Sequence, residues 1–288
     1  MAENSSSQNP PKKTVTKKTL RCRRFFAVII LLIVVWWFNN YTVKITEQTV
    51  KSPKISASVR IAIISDMHAT DFGISVDSIV SKMKKTSPDI IIELGDMYTK
   101  GSSQKLMDKP VELTEKLVDE GFPVYFVNGE HDTDREYINK MAEAGAHVMN
   151  YKSETITVNG NRLRILGIDN VYYSGTFDLS NEFTLDDSCF NILLAHIPNY
   201  EKFARFGADL TLCADTHGGM IQLPFDMGPV YHEGNWFPQL KSGNTVYDKG
   251  CFDYKNGTMF ITSGIGNSPV PARFNNRPEI AVIELIPE

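Results

Sequence analysis

The sequence predicts an α/β (α+β) fold, because short apolar runs alternate with helix-type patterns over most of the chain. Residues 59–64, 88–94 and 124–127 are such runs, and each indicates a buried strand. Between them, apolar residues recur at the i, i+3, i+4 and i+7 spacing of amphipathic helices. With 42% hydrophobic residues over 288 positions, the chain has the composition to bury a substantial core.

The first 24 residues are polar and basic, with seven Lys and Arg against one Glu. This block carries +6 of an overall −4, so the remaining chain carries −10. We expect residues 1–24 to form a disordered cytoplasmic tail. An acidic globular part argues against nucleic-acid binding, so no nucleic-acid partner is expected. Four cysteines without paired spacing exclude a disulfide scaffold.

An apolar run follows at residues 25–38 and ends in two tryptophans and a phenylalanine. As a helix it spans about 21 Å, and continuing it to Val43 gives about 28 Å, against a bilayer core of roughly 30 Å. We predict a transmembrane anchor over residues 25–43, in contact with the lipid bilayer. A signal peptide is the alternative, but no small-residue cleavage site follows the run. The preceding basic block predicts a cell-membrane protein with a cytoplasmic N-terminus and the main domain outside.

The next residues, 44–57, are predicted to form a polar linker, and residues 58–288 one folded domain without an internal repeat. After the first strand, a helix is indicated by the apolar face of Val76, Ile79, Val80 and Met83. A second helix, at about 106–120, ends before Pro123.

A third helix follows Asp134, with Tyr137, Ile138 and Met141 as its apolar face. Asn159-Gly160 lies between two alternating runs and predicts a β-hairpin. Residues 220–256 show no clear periodicity and are expected to be a long loop of the functional or disordered kind. Strands at 258–262 and 280–285 complete the sheets.

Five of the predicted strands end in side chains of the types that bind metals. Taken singly, each has an ordinary explanation: Asp96 as a turn residue, His131 as a helix start, His196 as a core histidine. Their conjunction favours one shared polar site, because parallel strands present their carboxyl ends at one edge of a sheet. The side chains concerned are Asp66 and His68, Asp96, Glu130 and His131, His196, and Asp215 and His217.

Carboxylates and imidazoles together suit divalent Mn, Fe, Zn or Mg. A carboxylate that bridges two ions about 3.5–4 Å apart forms the two-metal arrangement used for displacement at phosphorus. The sequence therefore predicts two divalent metal ions as cofactors. Manganese(II) is the expected ion, with Fe(II), Mg(II) and Zn(II) as alternatives.

These motifs, in this order, resemble those of the calcineurin-like metallophosphoesterases. The resemblance covers residues 58–288, and the stretch Arg273–Glu279 is similar to the ending of a bacterial branch of small, often membrane-associated phosphodiesterases. It implies a four-layer αββα sandwich. The motifs that carry it are Asp66-x-His68, Gly95-Asp96, Gly129-x-His131-Asp132, His196 and Thr216-His217-Gly218-Gly219.

Carried over to this sequence, the resemblance assigns the first metal to Asp66, His68 and His217, with Asp96 as the bridge. The second metal would take Asp96, His196 and two positions that depart from the family. Glu130 stands where the family has Asn, and Asp215 stands where it has His. His131 matches the histidine that steadies the transition state or protonates the leaving group.

The two departures admit two interpretations. Either the second metal site persists with harder, more anionic ligands, or it has decayed and the protein is a non-catalytic binder. Oxygen ligands at both positions favour the first interpretation, and hard ligands favour Mn, Mg or Fe(II) over Zn.

The predicted function is therefore that of a membrane-anchored hydrolase of a phosphodiester, pyrophosphate or phosphomonoester, with a lipid-linked substrate favoured by the anchor. The alternative is a catalytically impaired binding or scaffold protein. Arg273 and His232 are candidate substrate-binding residues, although Arg273 equally suits an ion pair that fixes the last strand. Oligomeric state has no sequence signal.

Overall fold

Two six-stranded mixed sheets form the centre of the structure, a computed structural model that describes residues 17–70, 73–169, 174–232, 234–236, 239–243, 245–268 and 272–288. The first sheet has the order β1-β12-β2-β3-β4-β5, and the second has the order β10-β11-β9-β8-β7-β6. The strands of the first sheet are β1 Lys44–Ser52, β2 Val59–Ile64, β3 Ile90–Glu93, β4 Val124–Phe126, β5 His147–Val148 and β12 Glu279–Pro287. Those of the second are β6 Lys152–Val158, β7 Asn161–Ile168, β8 Phe190–Ala195, β9 Leu210–Cys213, β10 Gly250–Tyr254 and β11 Gly257–Ile261.

Helices cover the outer face of each sheet, which gives the layers of an αββα sandwich. Strands β2, β3 and β4 run parallel, as do β7, β8 and β9, and helices form the crossovers between several of them. The helices are α1 Lys17–Tyr41, α2 Val76–Lys85, α3 Gln104–Asp119, α4 Arg135–Glu143, α5 Leu179–Glu182 and α6 Tyr200–Phe206. The predicted mixed fold with two sheets is confirmed.

Three apolar layers account for the packing. Between the sheets, side chains such as Ile61, Ile92 and Ile192 alternate inward from both faces. The opposite face of the first sheet packs on α2, α3 and α4, and the opposite face of the second packs on α5 and α6. Strands covered on both faces read as continuous apolar runs, which is why β2, β3, β8 and β9 are visible in the sequence.

The local helix signals correspond to structure. Val76, Ile79, Val80 and Met83 are the buried residues of α2, which begins after Ser75, whose side chain accepts a hydrogen bond from the backbone N–H of Ser78. Helix α4 begins after Asp134, whose carboxylate accepts from two backbone N–H groups. The Asn159-Gly160 turn joins β6 and β7 as an antiparallel hairpin.

The polar linker predicted over residues 44–57 is not what the structure contains. Residues 44–52 form β1, an edge strand that pairs in parallel with β12, from Lys44 opposite Glu279 to Ser52 opposite Pro287. Its sequence has no strong apolar face, because one edge of the strand and much of one face meet solvent. The domain therefore includes β1. Strand β10, within the expected 220–256 loop, is a second addition that the pattern did not reveal.

In the part of the chain that the structure describes, no helix combines the length and hydropathy that a membrane span requires. The prediction over residues 25–43 depended on continuing the helix beyond the run 25–38. Instead, Asn39 and Asn40 are buried, α1 ends at Tyr41, and β1 begins at Lys44. The transmembrane helix is therefore not supported. Residues 17–24 are helical, and the rest of the predicted disordered tail, residues 1–16, lies outside the described residues.

Glu93, the last residue of β3, is a carboxyl group fully buried behind the site. It lies 2.9 Å from the Thr114 hydroxyl, which also lies 3.1 Å from the Pro110 carbonyl. One hydroxyl has one proton to donate. A proton on Glu93 therefore lets the carboxyl group donate to the Thr114 hydroxyl while that hydroxyl donates to the Pro110 carbonyl. Burial accordingly raises the pKa of Glu93 to about 8, and the nearby charge of Asp132 adds to it.

We predict that Glu93→Gln changes how stability depends on pH. Unfolded Glu93 ionises near 4.5 and folded Glu93 near 8, so between these values folding takes up a proton and stability falls as pH rises. The slope of this contribution is up to about 1.4 kcal/mol per pH unit. Urea unfolding at pH 5, 6.5 and 8 should show a smaller loss for the Gln variant than for wild type.

Glu115→Gln is the matched control, because Glu115 is exposed on α3 and its loss should leave the pH dependence unchanged. Parallel pH dependences for wild type and Glu93→Gln would contradict an uncharged Glu93.

Candidate metal centre

The candidate site lies where five strands end at one edge of the two sheets. Strand β2 leads to Asp66 and His68, and β3 leads to Asp96. The residues after β4 are Glu130 and His131, those after β8 begin at His196, and β9 leads to Asp215 and His217. The two packed sheets therefore bring side chains that are far apart in sequence to one place.

The backbone of the site is unusual for non-glycine residues. Asp66, His68, Asp96, Asp215 and His217 all have positive φ, between 40° and 66°. Each such residue costs of order 1 kcal/mol or more, and residues of this kind cluster at functional sites. The surrounding packing must supply the stabilisation that holds these five backbones in place.

Two glycines permit the loops after β3 and β4 to touch. A Cβ on Gly95 would collide with the backbone of Gly129, and a Cβ on Gly129 would collide with Asp96. Asp132 ties the same loops together, because its carboxylate accepts from the backbone N–H groups of Asp96 at 2.5 Å, Gly129 at 2.9 Å and Met97 at 3.2 Å. These contacts fix Asp96 from behind and leave its side chain facing the site.

A first group of ligand-type atoms comprises Asp66, His68 and His217, all within 4.8 Å of one another. The His217 Nε2 atom lies 3.7 Å from Asp66 Oδ1, and the His68 Nε2 atom lies 3.8 Å from Asp96 Oδ2. Ligands at 2.0–2.3 Å from one ion lie roughly 3–4.2 Å apart. The spacing therefore fits a single divalent ion with Asp96 beside it.

Three further groups share Asp96. One joins His68, Asp96 and His131. Another joins Asp66, Asp96 and His196, with His196 Nε2 at 3.3 Å from Asp96 Oδ2. The last joins Asp96, Glu130 and Asp215, and His196 Nε2 lies 3.8 Å from Asp215 Oδ1. The structure thus brings together both residues that depart from the family pattern, next to the carboxylate that is predicted to bridge.

The carboxylates of the site do not share one protonation state. Burial raises the pKa of Asp66 to about 7 and that of Asp215 to about 6. Burial also opposes ionisation of Asp96, but the charge of His196 and a hydrogen bond from the His131 N–H outweigh it. The pKa of Asp96 consequently lies below its usual range. Asp96 therefore keeps its negative charge more readily than Asp66 and Asp215 do.

The buried imidazoles also differ from one another in the direction of their pKa shifts. Burial lowers the pKa of His68 to about 4 and that of His217 well below its usual range, so both are neutral and able to ligate. For His196, burial is outweighed by the negative charges of Asp96, Asp66 and Asp215, which raise its pKa well above the usual value. A cation bound in the site would offset the carboxylate charge that the proton on His196 otherwise offsets.

One ring nitrogen supports this fit. The His196 Nδ1 atom makes a hydrogen bond to the Leu94 carbonyl, which directs Nε2 towards the carboxylates. His196 Nε2 is buried without a hydrogen-bond partner among the described residues. A buried polar atom of this kind calls for an ion or a water. The donor set and this unpartnered nitrogen fit divalent metal ions.

His131 occupies the outer side of the site. Its side chain is 29% exposed, and its Nε2 atom lies 3.9 Å from both Asp96 Oδ2 and Glu130 Oε1. Its other ring nitrogen, Nδ1, accepts a hydrogen bond from the Lys100 N–H at 3.0 Å. A ring that accepts at Nδ1 carries its proton on Nε2 when neutral. The proton therefore faces the open part of the site.

The two candidate substrate-binding residues lie elsewhere. Arg273 is 1% exposed, and its guanidinium donates to backbone carbonyls, among them Ser263 at 2.8 Å and Gly266 at 2.6 Å. It lies behind the site, so the prediction of a substrate contact is corrected. His232 is buried, exchanges backbone hydrogen bonds with Asn235, and belongs to none of the four ligand groups formed by described residues.

A family model for calcineurin-like phosphoesterases matches residues 59–219, more than half of the chain and the whole run of site motifs. The chain belongs to the calcineurin-like phosphoesterase family. The expected resemblance is confirmed, and the family implies a metal-dependent phosphoesterase.

Two relatives are described as metallophosphoesterases. The uncharacterized metallophosphoesterase YkuE of Bacillus subtilis is 28% identical over 261 residues, covering 85% of this chain and 86% of its own. A putative metallophosphoesterase of Caenorhabditis elegans, F40B5.2, is 27% identical and covers 80% of this chain and 49% of its own. Among solved structures, the NAD nucleotidase of Haemophilus influenzae superposes with a TM-score of 0.44 at 18% identity, covering 72% of this chain and 45% of that chain.

Sequence reasoning missed the residues that support the ligands. Asp132 stood inside a recognised motif, yet only the structure shows that its carboxylate accepts three backbone N–H groups. Thr99, whose hydroxyl lies 3.1 Å from His68 Nδ1, has no motif at all. Partners of this kind follow from loop geometry, which has no local sequence pattern.

Proposed function

We propose that this protein is a two-metal phosphoesterase that hydrolyses a phosphodiester, pyrophosphate or phosphomonoester. The observation that carries the proposal is the pair of ligand groups on either side of Asp96, with His131 beside them on the open side. Two divalent ions in such a site acidify a bound water and neutralise phosphoryl oxygens.

In this proposal the side chains divide into three roles. Asp66, His68 and His217 hold the first ion, and Asp96 bridges. His196, Glu130 and Asp215 complete the second ion's ligands. His131 donates a hydrogen bond from Nε2 to the leaving-group or phosphoryl oxygen and stabilises the charge that develops there, because its Nδ1 accepts from the Lys100 N–H and its ring proton lies on Nε2.

We predict that Asp96→Ala removes activity and the second metal together, since every ligand group but one includes Asp96. His131→Ala should instead keep its metal content and lower kcat by about 10²–10³-fold, the usual cost of removing one hydrogen-bond donor to a developing charge. Metal analysis and turnover of bis(p-nitrophenyl) phosphate and p-nitrophenyl phosphate by the full chain measure both effects.

His147→Ala is the control, because His147 is a surface histidine paired with Glu154 and should match wild type. A wild-type protein that binds one ion or none and hydrolyses no phosphoester would refute the proposal. The alternative, a catalytically impaired binding or scaffold protein, would then take its place.

The second metal site is proposed to prefer hard ions, Mn(II) first. Glu130 and Asp215 put oxygen ligands where the family has Asn and His, and both lie within 4.8 Å of Asp96. Anionic oxygen ligands favour Mn, Mg or Fe(II) over Zn. They also lessen the acidification of bound water, because they offset the charge of the ion.

We predict that wild type works better with Mn(II) or Mg(II) than with Zn(II), with a rate profile shifted to alkaline pH. The double variant Glu130→Asn/Asp215→His should move the preference towards Zn(II) and the profile towards neutral pH. Hydrolysis rates measured with Mn(II), Mg(II), Fe(II) and Zn(II), after chelation and reloading, test this prediction. An unchanged ion preference in the double variant would count against an altered second site.

A contact with lipid through α1 is proposed from its surface. From Phe25 to Phe38 nearly every large apolar side chain is exposed, and Arg21, Arg23 and Arg24 precede them. We infer that this exposed apolar surface, with the arginines before it, draws α1 to an anionic bilayer surface, which makes a lipid-linked substrate favourable. The extracytoplasmic position of the domain stays a prediction, to be tested by protease added to intact cells.

We predict that the full chain sediments with vesicles containing anionic lipid and that Leu31→Asp weakens this by tenfold or more, because a charge is costly in hydrocarbon. Lys51→Gln, on exposed β1, changes the net charge by the same single unit and is the control for charge alone. Equal sedimentation of both variants would contradict contact through α1.

A further inference from the structure

The end of α1 is joined to the loop after residue 272 by side-chain amides. Asn40 Oδ1 accepts from the Arg273 N–H at 2.7 Å, and Asn40 Nδ2 donates to the Arg273 carbonyl at 3.2 Å. Asn39 Oδ1 accepts from the Asn275 N–H at 2.9 Å. Both asparagines are buried, Asn40 to within 2% of full burial. Asn40 therefore pairs with both backbone groups of Arg273, as a neighbouring strand would.

Arg273 extends this contact inward. Its guanidinium donates to the carbonyls of Ser263 and Gly266, and at 3.4 Å to that of His217. Asn276, three residues on, donates from its side chain to the same His217 carbonyl at 2.8 Å. The segment 273–276, which begins at the hydrogen-bond partner of Asn40, therefore holds the backbone of His217, a candidate metal ligand.

The loop at 263–266 connects the same guanidinium to Asp66. The Gly266 N–H donates to the Asp66 carbonyl at 2.8 Å. Gly264 packs so closely that a Cβ there would lie 2.6 Å from Asp66 Oδ2. Arg273 therefore supports two ligands of the first metal group, Asp66 and His217, from behind.

A buried guanidinium is stable only where its position satisfies its donors, because leaving them unpaired is costly. Carbonyl partners at 2.6–3.4 Å allow little displacement. Asp66 and His217 also have backbones with positive φ, which relax if their supports loosen. The place of the Arg273 backbone consequently determines the place of both ligands.

We propose that Asn40 is a positioning residue of the metal centre, acting through the Arg273 backbone on His217 and Asp66. The proposal rests on the proposed metal-dependent function and adds to it that α1 is a structural part of the site. Asn40 also donates to the Trp36 carbonyl within α1 at 2.7 Å. A role confined to the helix end is therefore the competing explanation.

The experiment compares Asn40→Ala with Thr42→Val in the full chain. Thr42 lies at the same junction and accepts from Arg277 Nε at 2.9 Å, and among the described residues no hydrogen bond joins it to Arg273. Mn(II) affinity is measured by titration of the chelated protein, together with helix content and kcat and KM for bis(p-nitrophenyl) phosphate.

Asn40→Ala should weaken Mn(II) binding 10- to 100-fold, the usual effect of losing a residue that orients a ligand, and lower kcat more than it raises KM. Thr42→Val should bind Mn(II) like wild type. Asn40→Asp keeps the acceptor for the Arg273 N–H and loses the donor, so its affinity should be intermediate.

Wild-type Mn(II) affinity in a folded Asn40→Ala overturns the proposal, as does an equal loss in Thr42→Val, which would indicate general loosening of α1. If Asn40→Ala does not fold, Asn40→Asp decides by the same comparison. A wild type that binds Mn(II) without hydrolysing any ester refutes the proposed activity, but the affinity comparison still tests Asn40.

Discussion

Negative charge buried around Asp96 is the constraint on which the site depends. Asp66, Asp96 and Asp215 lie within reach of one imidazole nitrogen, His196 Nε2, at 3.3–3.9 Å. Without another cation, protons must occupy part of this set. Burial raises the pKa values of Asp66 and Asp215, and the charge of Asp96 adds to this, while the charge of His196 holds the pKa of Asp96 down. Divalent ions offset the same charge without protons, so metal binding and ionisation of these carboxylates are coupled.

The fold provides the rigidity that this charge distribution requires. Five ligand-type residues lie at positive φ, and they do so on loops whose ends are fixed by strands buried on both faces. Glycines at 95 and 129 let two of these loops approach closely, and Asp132 joins them through three backbone hydrogen bonds. Local strain at the site is thereby balanced by the packing of two apolar layers beneath it.

The sequence predicted those parts of the molecule that have a local signature. Runs such as Ile61–Ile64 announce strands buried on both faces, and the side chain after each run identifies the site. The pattern predicts a linker at β1, because this edge strand has neither a continuous apolar run nor a strong alternation of apolar and polar residues. The predicted anchor over residues 25–43 fails for a related reason. Hydropathy alone does not distinguish Asn39 and Asn40 in a membrane from the same residues hydrogen bonded to a loop of the domain.

Arg273 illustrates why the chemistry of a residue type is not enough to assign its role. An arginine in a motif near a phosphoester site suggests anion binding, yet here carbonyl oxygens surround the guanidinium and burial lowers its pKa to about 10. Its positive charge still acts on the site through distance, since it favours ionised Asp66 and neutral His217. Arg273 therefore contributes to the centre twice, as a brace for two ligands and as a fixed charge behind them. Both contributions depend on where its backbone lies, and that position is determined by contacts with the end of α1.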